Sequence, residues 1–173
     1  VDPNSLEELP RGEVGELVTS GSQLMLGYWD NPEANQESFF ERDGKRFFRT
    51  GDLARIDEDG YFFMADRLKR MINVSGYKVW PTEVENTMYA HPAIQEVCIV
   101  GIRDEKQGEQ VKVLVVLKEG EFVEAAEIIA WAREHMAVYK APRSVEFFDE
   151  LPKSNTGKIM WRKLQDDQNA KLA

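Results

Sequence analysis

The sequence is poor in the residues on which several classes of protein depend. Its 173 residues include one cysteine, Cys98, and two histidines. A single cysteine excludes a disulfide framework, and its place in the apolar run 97–100 predicts a small buried side chain. Cys, His and acidic residues do not occur together at the spacing of metal ligands, so we predict no metal site in this chain.

Basic residues and long apolar runs are also scarce. The chain has 22 Lys and Arg against 31 Asp and Glu, which gives a formal net charge of −9. Because nucleic-acid binding and polybasic membrane anchoring depend on clustered positive charge, we predict neither. No run approaches the roughly 18 apolar residues of a transmembrane helix, and the amino terminus lacks an export signal. We therefore expect a cytoplasmic location, with peripheral membrane association left open.

The sequence does contain enough apolar material for a folded core. Hydrophobic residues make up 42% of the chain and charged residues 31%, a balance typical of globular proteins. The length allows one domain, or one domain and part of another. The first residue is Val1 and a strand-like pattern follows almost at once, so we expect an excised piece of a longer protein.

The first third of the chain has the pattern of β structure. The run 15–19 predicts a strand, and Asn31 followed by proline predicts the start of a helix that reaches about Phe39. Two further strand-like runs flank the acidic, glycine-containing turn 57–60 and predict a hairpin over 53–64.

A charged segment, 66–70, then separates this region from the rest and is our predicted linker. It is followed by a hairpin over 70–80, with Ser75 and Gly76 as its two-residue turn. Thr82 is predicted to begin a short helix as the first residue of a capping box.

The remainder alternates strands with an amphipathic helix. Strands are predicted over 96–102, 111–118 and 145–148, and a helix over 123–136. Within that helix, apolar residues at helical spacing are predicted to be core residues: Ile128, Trp131, Ala132 and Met136. We therefore predict an α+β fold, in which a β-rich first part precedes a small α/β domain with a short hairpin and a sheet flanked by helices.

Two charged positions in the first part could bind a ligand. Asp52 follows Thr50 and Gly51 and is predicted to stand at the start of a strand. Its carboxylate can accept hydrogen bonds from a vicinal diol such as ribose. The tripeptide alone is usually no more than a turn. Arg67 and Lys69, in the charged segment, could contact an anion or remain solvated.

Two loops of the second part offer further candidates. Gly76 either serves its turn or lets a ligand pass close to the backbone. The polar loop 152–159 presents Lys158, a mobile positive charge that can meet phosphate or carboxylate oxygens. This loop is not a Walker loop, because Pro152 and Ile159 stand where Gly and Ser or Thr are needed.

Taken in order and at these spacings, the signals resemble the carboxy-terminal third of the adenylate-forming enzymes: acyl-CoA synthetases, luciferases and peptide-synthetase adenylation domains. The resemblance covers nearly the whole chain. Its motifs are 15–28, 49–52, 66–69, 75–85 and 152–158. Within these motifs, 79–85 and the lysine-containing loop look most similar to the fatty acyl-CoA ligases.

The resemblance implies a reaction in two steps. A carboxylate, here a fatty acid, attacks the α-phosphate of MgATP to give acyl-AMP and pyrophosphate, and the thiol of CoA then displaces AMP to give a thioester. ATP, Mg²⁺ and CoA are thus the implied cofactors. The motifs that would hold pyrophosphate and Mg²⁺ are absent from this chain, and in the family they lie upstream.

The resemblance also implies roles for the first-part residues. Asp52 matches the residue that holds the ribose hydroxyls of ATP, and Arg67 matches a residue beside the same ribose. Lys69 matches the hinge about which the small carboxy-terminal domain swings between its adenylation and thioester-forming orientations. A charged linker suits that role because it can change its backbone angles without opening a core.

Three further residues of the second part receive roles in the same way. Lys158 matches the catalytic lysine that reaches the carboxylate and the α-phosphate in the first half-reaction. Gly76 matches the residue that lines the pantetheine passage in the second half-reaction. Lys78 could meet a phosphate in that state, although the family varies at this position.

By the same resemblance, residues 1–66 are the last β subdomain of an incomplete large domain, and 67–173 are the carboxy-terminal lid domain, with the hinge near Lys69. The partner is then the chain's own missing amino-terminal domain, and the chain alone is expected to be inactive. Two alternatives stay open. The acyl group could pass to carrier-protein pantetheine, or the chain could be a non-catalytic module that binds CoA or a partner.

Overall fold

The computed structural model describes residues 1–172, which divide into two compact units. The first unit is Val1–Lys69, and the second begins at Arg70. Four helices and two sheets confirm the predicted α+β class. No helix in the described part of the chain is long and apolar enough to cross a membrane.

The first unit is a four-stranded antiparallel sheet with one short helix. Its elements are β1 (Gly15–Ser20), α1 (Pro32–Ser38), β2 (Phe39–Arg42), β3 (Lys45–Ile56) and β4 (Phe62–Arg67). The long strand β3 is central: β1 pairs with one edge, while β2 and then β4 pair with the other.

The helix cap and the hairpin turn predicted for this unit are both present. The side chain of Asn31 caps α1 by accepting a hydrogen bond from the backbone N–H of Ala34 at 3.1 Å. The β3–β4 hairpin closes through Asp57, whose carboxylate accepts from the backbone of Tyr61 at 2.9 Å. The short strand β2 was not predicted, because four residues give too little alternation to be recognised.

The predicted linker over 66–70 is only partly correct. Asp66 and Arg67 belong to β4, and Asp66 is buried. A single 3-10 turn, Leu68–Arg70, follows the strand. The error arose because a run of charged residues suggested a solvent-exposed linker. A strand continues wherever its backbone finds a hydrogen-bonding partner, and here Asp66 pairs with Leu53 of β3.

The first unit has almost no hydrophobic core of its own. Within Val1–Lys69, only Leu53 and Ala54 are buried apolar side chains. Three neighbouring aromatic residues, Tyr61, Phe62 and Phe63, remain 69%, 56% and 43% exposed. A sheet normally buries one face against another layer, and these three side chains remain largely uncovered.

The second unit is a five-stranded sheet with helices. Its elements are β5 (Ile72–Val74), β6 (Tyr77–Val79), α2 (Pro81–Met88), β7 (Ile94–Asp104), β8 (Gly108–Leu117), α3 (Ala125–His135), β9 (Ser144–Phe147) and α4 (Trp161–Ala170). The antiparallel order is β6-β5-β8-β7, and β9 pairs with β8 in parallel. The predicted hairpin, the two long strands and the last strand are thereby confirmed.

This sheet is covered on both faces. Residues alternate along β7, so that Val97 and Ile99 join one apolar cluster with α2 and α3, while Cys98 joins another with Leu164 of α4. The thiol of Cys98 is buried as predicted, and that burial, with a contribution from nearby Glu85, raises its pKa to about 12.

The helices show where the sequence interpretation succeeded and failed. Ile128 and Ala132 of α3 are buried, as predicted. The capping box at Thr82 was wrong: α2 begins at Pro81, with Trp80 as the N-cap residue and no side-chain capping bond. Proline fixes its own φ near −65°, which suits the first helical position.

Helix α4 had no predicted counterpart. It is fixed to the sheet by a polar network, in which Lys112 donates to Glu146 at 2.8 Å and to Gln168 at 2.6 Å. Lys171 also donates to Glu146, at 2.5 Å. Burial alone would raise the pKa of Glu146, but the hydrogen bonds from Lys112, Lys171 and Gln168 outweigh it and lower the pKa to about 2.

Arg70, the first residue of the second unit, is fastened inside that unit. Its guanidinium lies 2.5 Å from Glu85, and Glu85 in turn accepts from the backbone N–H of Ile99 at 3.0 Å. The guanidinium carbon also lies 5.5 Å from the centre of the Trp161 ring, at the start of α4. This arrangement ties the beginning of the unit to α2, β7 and α4.

Candidate functional site

Asp52 and Arg67, both singled out from the sequence, lie together on the first unit. They are opposite each other across β3 and β4, and Arg67 Nε lies 2.7 Å from Asp52 Oδ1. The Arg67 side chain is 61% exposed and that of Asp52 is 25% exposed. The pair therefore presents a hydrogen-bond acceptor and a planar donor to solvent, the two functions that a ribose diol and its neighbouring phosphates need.

Thr50, Gly51 and Asp52 lie inside a strand, so the expected turn at a strand start was wrong. Three residues of β3 stand opposite the single residue Leu17 of β1, which makes the segment a bulge. Gly51 has φ +70°, a left-handed conformation that glycine adopts without strain. The Thr50 hydroxyl donates to the Leu17 carbonyl at 2.6 Å and accepts from the Asp52 N–H at 3.1 Å.

Glu16, which the sequence interpretation did not single out, lies next to this bulge. Its carboxylate is only 2% exposed and accepts from Arg49 at 2.6 and 2.9 Å. It also accepts from the backbone N–H of Gly51 at 3.2 Å. The sequence did offer a signal for Glu16, since it is a charged residue in a predicted strand with Leu17 and Val18. A charge buried there requires a partner.

Lys69 ends the first unit and borders a groove of about 360 Å³. The groove is also lined by Tyr28, Phe48, Thr50 and Gly51. No atom lies within 4 Å of the point where a Cβ on Gly51 would stand. The bulge therefore borders open space large enough for part of a small molecule.

Gly76 forms the exposed tip of the β5–β6 hairpin. Ser75 and Gly76 have φ values of +51° and +89°, and Gly76 donates to the Asn73 side chain at 2.9 Å. Nothing lies within 4 Å of a Cβ placed on Gly76, so the backbone conformation, rather than crowding, requires glycine here. Lys78 is exposed on the next strand, opposite Asn73.

Lys158 lies on a small loop just before α4. A bridge between Lys153 and Ile159 closes the loop. Within it, the backbone N–H of Ser154 donates to the Lys158 carbonyl at 2.8 Å. The backbone N–H of Gly157 donates to the Ser154 carbonyl, also at 2.8 Å. Lys153 forms an ion pair of 2.5 Å with Glu96 on β7. The side chain of Lys158 is exposed, and backbone hydrogen bonds hold the loop that carries it.

The predicted residues form separate groups. Asp52 and Arg67 share one site on the first unit, whereas Gly76 and Lys158 occupy different loops of the second unit. Among residues 1–172, no group of three or more His, Cys, Asp or Glu side chains is placed to hold a metal ion.

Most of the second unit, including its exposed lysine loop, matches a known family model. Residues 83–158 match the model of the AMP-binding enzyme C-terminal domain. Residues 83–158 therefore have the sequence of the carboxy-terminal domain of the AMP-binding, or adenylate-forming, enzymes, and the resemblance stated from the motifs is confirmed.

Particular relatives extend this match over the rest of the chain. A long-chain-fatty-acid–CoA ligase of Salmonella typhimurium is 45% identical over 172 residues, which is 99% of this chain and 30% of the ligase. A feruloyl-CoA synthase of an Amycolatopsis species is 45% identical over 154 residues, or 89% of this chain and 30% of the synthase. This chain thus spans about 30% of the length of these relatives.

A solved structure gives the same result for the fold. The crystal structure of ATP-bound MatB from Rhodopseudomonas palustris superposes with a TM-score of 0.91 at 32% identity, covering 99% of this chain and 34% of MatB. The fold is therefore that of the corresponding part of MatB.

Proposed function

We propose that this chain is the carboxy-terminal part of an ATP-dependent acyl-CoA synthetase. The complete enzyme would convert a carboxylate and ATP to acyl-AMP and pyrophosphate, and would then transfer the acyl group to CoA with release of AMP. The observation that carries the proposal is the solvent-facing Asp52–Arg67 pair, which we propose binds the ribose of ATP, as the motif resemblance implies.

The chemistry of this pair suits a nucleotide. A carboxylate accepts hydrogen bonds from both hydroxyls of a diol, and a guanidinium offers several donors with a permanent charge. Because Arg67 is largely exposed, its ion pair with Asp52 does little for stability. Both side chains remain available to a ligand.

Lys158 supplies positive charge for the first half-reaction. The attacking carboxylate and the triphosphate repel each other, and an ammonium placed between them offsets that repulsion where charge develops. The closed loop around Lys158 limits the loss of backbone freedom when the side chain engages. Loss of one such electrostatic contact typically costs about 10²–10³ in rate.

The second half-reaction requires a different part of the same unit. In the proposed mechanism, the backbone near Lys69 turns, Lys158 leaves the adenylate, and the hairpin tip at Gly76 takes its place beside the pantetheine arm of CoA. The open space around Gly76 supports this role. Lys78, exposed on the same hairpin, would then be near enough to the tip to meet a phosphate of CoA.

The exposed apolar surface of the first unit supports the proposal that this unit is part of a larger domain. Its sheet buries only two apolar side chains and leaves an aromatic edge exposed, as expected when another layer of the domain is needed to cover it. We propose that the first unit is the last β subdomain of that domain and that the second unit is the lid, so that the boundary lies at Lys69 and Arg70 rather than at residues 66 and 67. The ligands of Mg²⁺ and the acid pocket would lie in the upstream portion.

A fatty acid is the proposed acid substrate. The long-chain-fatty-acid–CoA ligase of Salmonella aligns with 99% of this chain, whereas the feruloyl-CoA synthase aligns with 89% at the same identity. Acetate, octanoate, palmitate and an aromatic acid, compared in carboxylate-dependent exchange of pyrophosphate into ATP, would test this choice in the full-length protein. Highest exchange with the aromatic acid would overturn it.

The experiment that tests the proposed function separates the two half-reactions. Lys158→Ala, made in the full-length protein, should suppress acyl-adenylate formation about 10²-fold or more while sparing thioester formation from added acyl-adenylate. Lys163→Ala, which removes an exposed lysine from α4, is the matched control and should affect neither step. Equal losses in both steps for Lys158→Ala would refute the proposed role.

A further inference from the structure

The buried carboxylate of Glu16 directs all its described hydrogen bonds to the segment just before Asp52. Two come from the Arg49 guanidinium, at 2.6 and 2.9 Å, and one comes from the backbone N–H of Gly51, at 3.2 Å. A charge that is only 2% exposed is costly unless it is paired and hydrogen-bonded. Arg49 and Gly51 are therefore held firmly against β1.

This segment has an irregular shape that needs such support. Three residues of β3 face one residue of β1, and Gly51 has a left-handed φ of +70°. A bulge changes the direction in which the following side chain points. The Thr50 hydroxyl continues the chain of contacts from Leu17 to the N–H of Asp52.

We infer that Glu16 is a positioning residue for nucleotide binding. By holding Arg49 and the N–H of Gly51, it fixes the bulge and so directs the Asp52 carboxylate toward the ribose hydroxyls. Glu16 itself is buried and does not touch the nucleotide. The inference rests on the proposed function, because it takes Asp52 as the ribose ligand.

Substitution with glutamine tests the inference most directly. Glu16→Gln keeps the size of the side chain but replaces one acceptor oxygen with a donor, which must face either the Arg49 guanidinium or the N–H of Gly51. The measurement is the ratio of kcat/KM for ATP to that for 3′-deoxyATP, in the full-length protein. We expect Glu16→Gln to lower this ratio by about tenfold, with KM for the acid and kcat at saturating ATP within about threefold of the unaltered enzyme.

Two comparison variants make the result specific. Glu41→Gln removes an exposed carboxylate from the neighbouring strand β2 and should leave the ratio unchanged. Gly51→Ala disturbs the bulge without altering Glu16, because alanine resists the left-handed φ there although space is available. It should lower the ratio as Glu16→Gln does, and it decides the question if Glu16→Gln does not fold.

The outcomes distinguish the inference from the proposed function. If Asp52→Asn abolishes the preference for ATP while folded Glu16→Gln retains it, the positioning role of Glu16 is refuted and the proposed function stands. An equal loss of efficiency toward the acid and toward both nucleotides would also refute it, since that result indicates a purely structural role. If Asp52→Asn retains the preference, the assignment of Asp52 fails, and the inference fails with it.

Discussion

Asp52 and Arg67 face each other across two strands of the first unit, and their side chains meet at 2.7 Å while Arg67 stays 61% exposed. Fifteen positions of sequence separate the two residues, yet the hairpin places them in direct register. The pairing of the two strands brings these side chains together, whether or not their charges attract each other. This leaves their charges available for binding.

The first prediction concerns the separation of stability from activity at this pair. Arg67→Gln should change the unfolding free energy by no more than about 1 kcal/mol, because exposed ion pairs contribute little. It should nevertheless raise KM for ATP about tenfold, since glutamine lacks the charge and forked donors of arginine. Denaturant unfolding and initial rates with varied ATP measure the two effects. Asp59→Asn, in an exposed turn, is the control, and a large stability loss without a change in KM would contradict the assignment.

The second prediction uses two glycines in the same steric situation. Gly76 and Gly120 have φ values of +89° and +82°, and at neither position would a Cβ atom have a neighbour within 4 Å. Alanine at either position should therefore cost about 1 kcal/mol of stability through backbone strain. Only Gly76→Ala should also slow thioester formation from added acyl-adenylate. Equal rates for the two variants in that step would argue against a role for Gly76 beside pantetheine.

The third prediction concerns Lys69, which lies within a 3-10 turn. Proline fits the φ of such a turn but restricts the residue before it and prevents further change of φ. Lys69→Pro should leave adenylate formation within about threefold and reduce thioester formation about tenfold or more. Lys69→Ala keeps the backbone free and should preserve both steps. Single-turnover assays of each step make the comparison, and a normal second step in Lys69→Pro would refute the hinge.

The fourth prediction is a pH dependence of stability at Glu146. Its folded-state pKa is lowered to about 2 from 4.5, so its stabilising effect is fully present above pH 4.5 and is lost as pH falls toward 2. After allowing for partial exposure, we expect Glu146→Gln to cost about 1–2 kcal/mol at pH 7. Urea unfolding at several pH values should show the stabilities of the two proteins converging as the pH falls toward 2. A difference independent of pH would show that the ionised carboxylate is not responsible.

The fifth prediction concerns the unequal cores of the two units. Both buried apolar clusters lie within the second unit, while the first buries only Leu53 and Ala54. In the isolated chain, amide hydrogen exchange should therefore be slow in β7 and β8 and fast in β1 to β4. Limited proteolysis should remove much of the first unit and leave a fragment that begins near Arg70. Equal protection of both units would contradict this expectation.

Most of the second unit could be predicted from the sequence because its packing requires apolar residues in recognisable local patterns. In β7 and β8 nearly every central residue is apolar, since both faces of the sheet are covered. Helix α3 has Ile128 and Ala132 four positions apart on its buried side. These are local patterns, and local patterns are what a single sequence displays.

The parts that were missed depend on contacts between distant residues. Helix α4 buries only Leu164 and the polar Gln168, so its apolar stripe is too thin to recognise, and its attachment relies on Lys112 and Glu146. The burial of Glu16 is likewise explained only by its contacts with Arg49 and Gly51, which lie 33 and 35 positions further along. Candidate ligands such as Asp52 were found through motifs, whereas the residues that support them were not.

The fastening of Arg70 has a mechanical consequence. Glu85 and Trp161 hold this residue within the second unit, and Trp161 closely follows the loop that carries Lys158. A torsional change just before Arg70 would therefore not be absorbed by a loose first turn of the unit. If the backbone turns at Lys69 as we propose, the unit would move as one rigid body, and a rotation about one or two bonds would strongly displace a side chain almost ninety residues away in sequence.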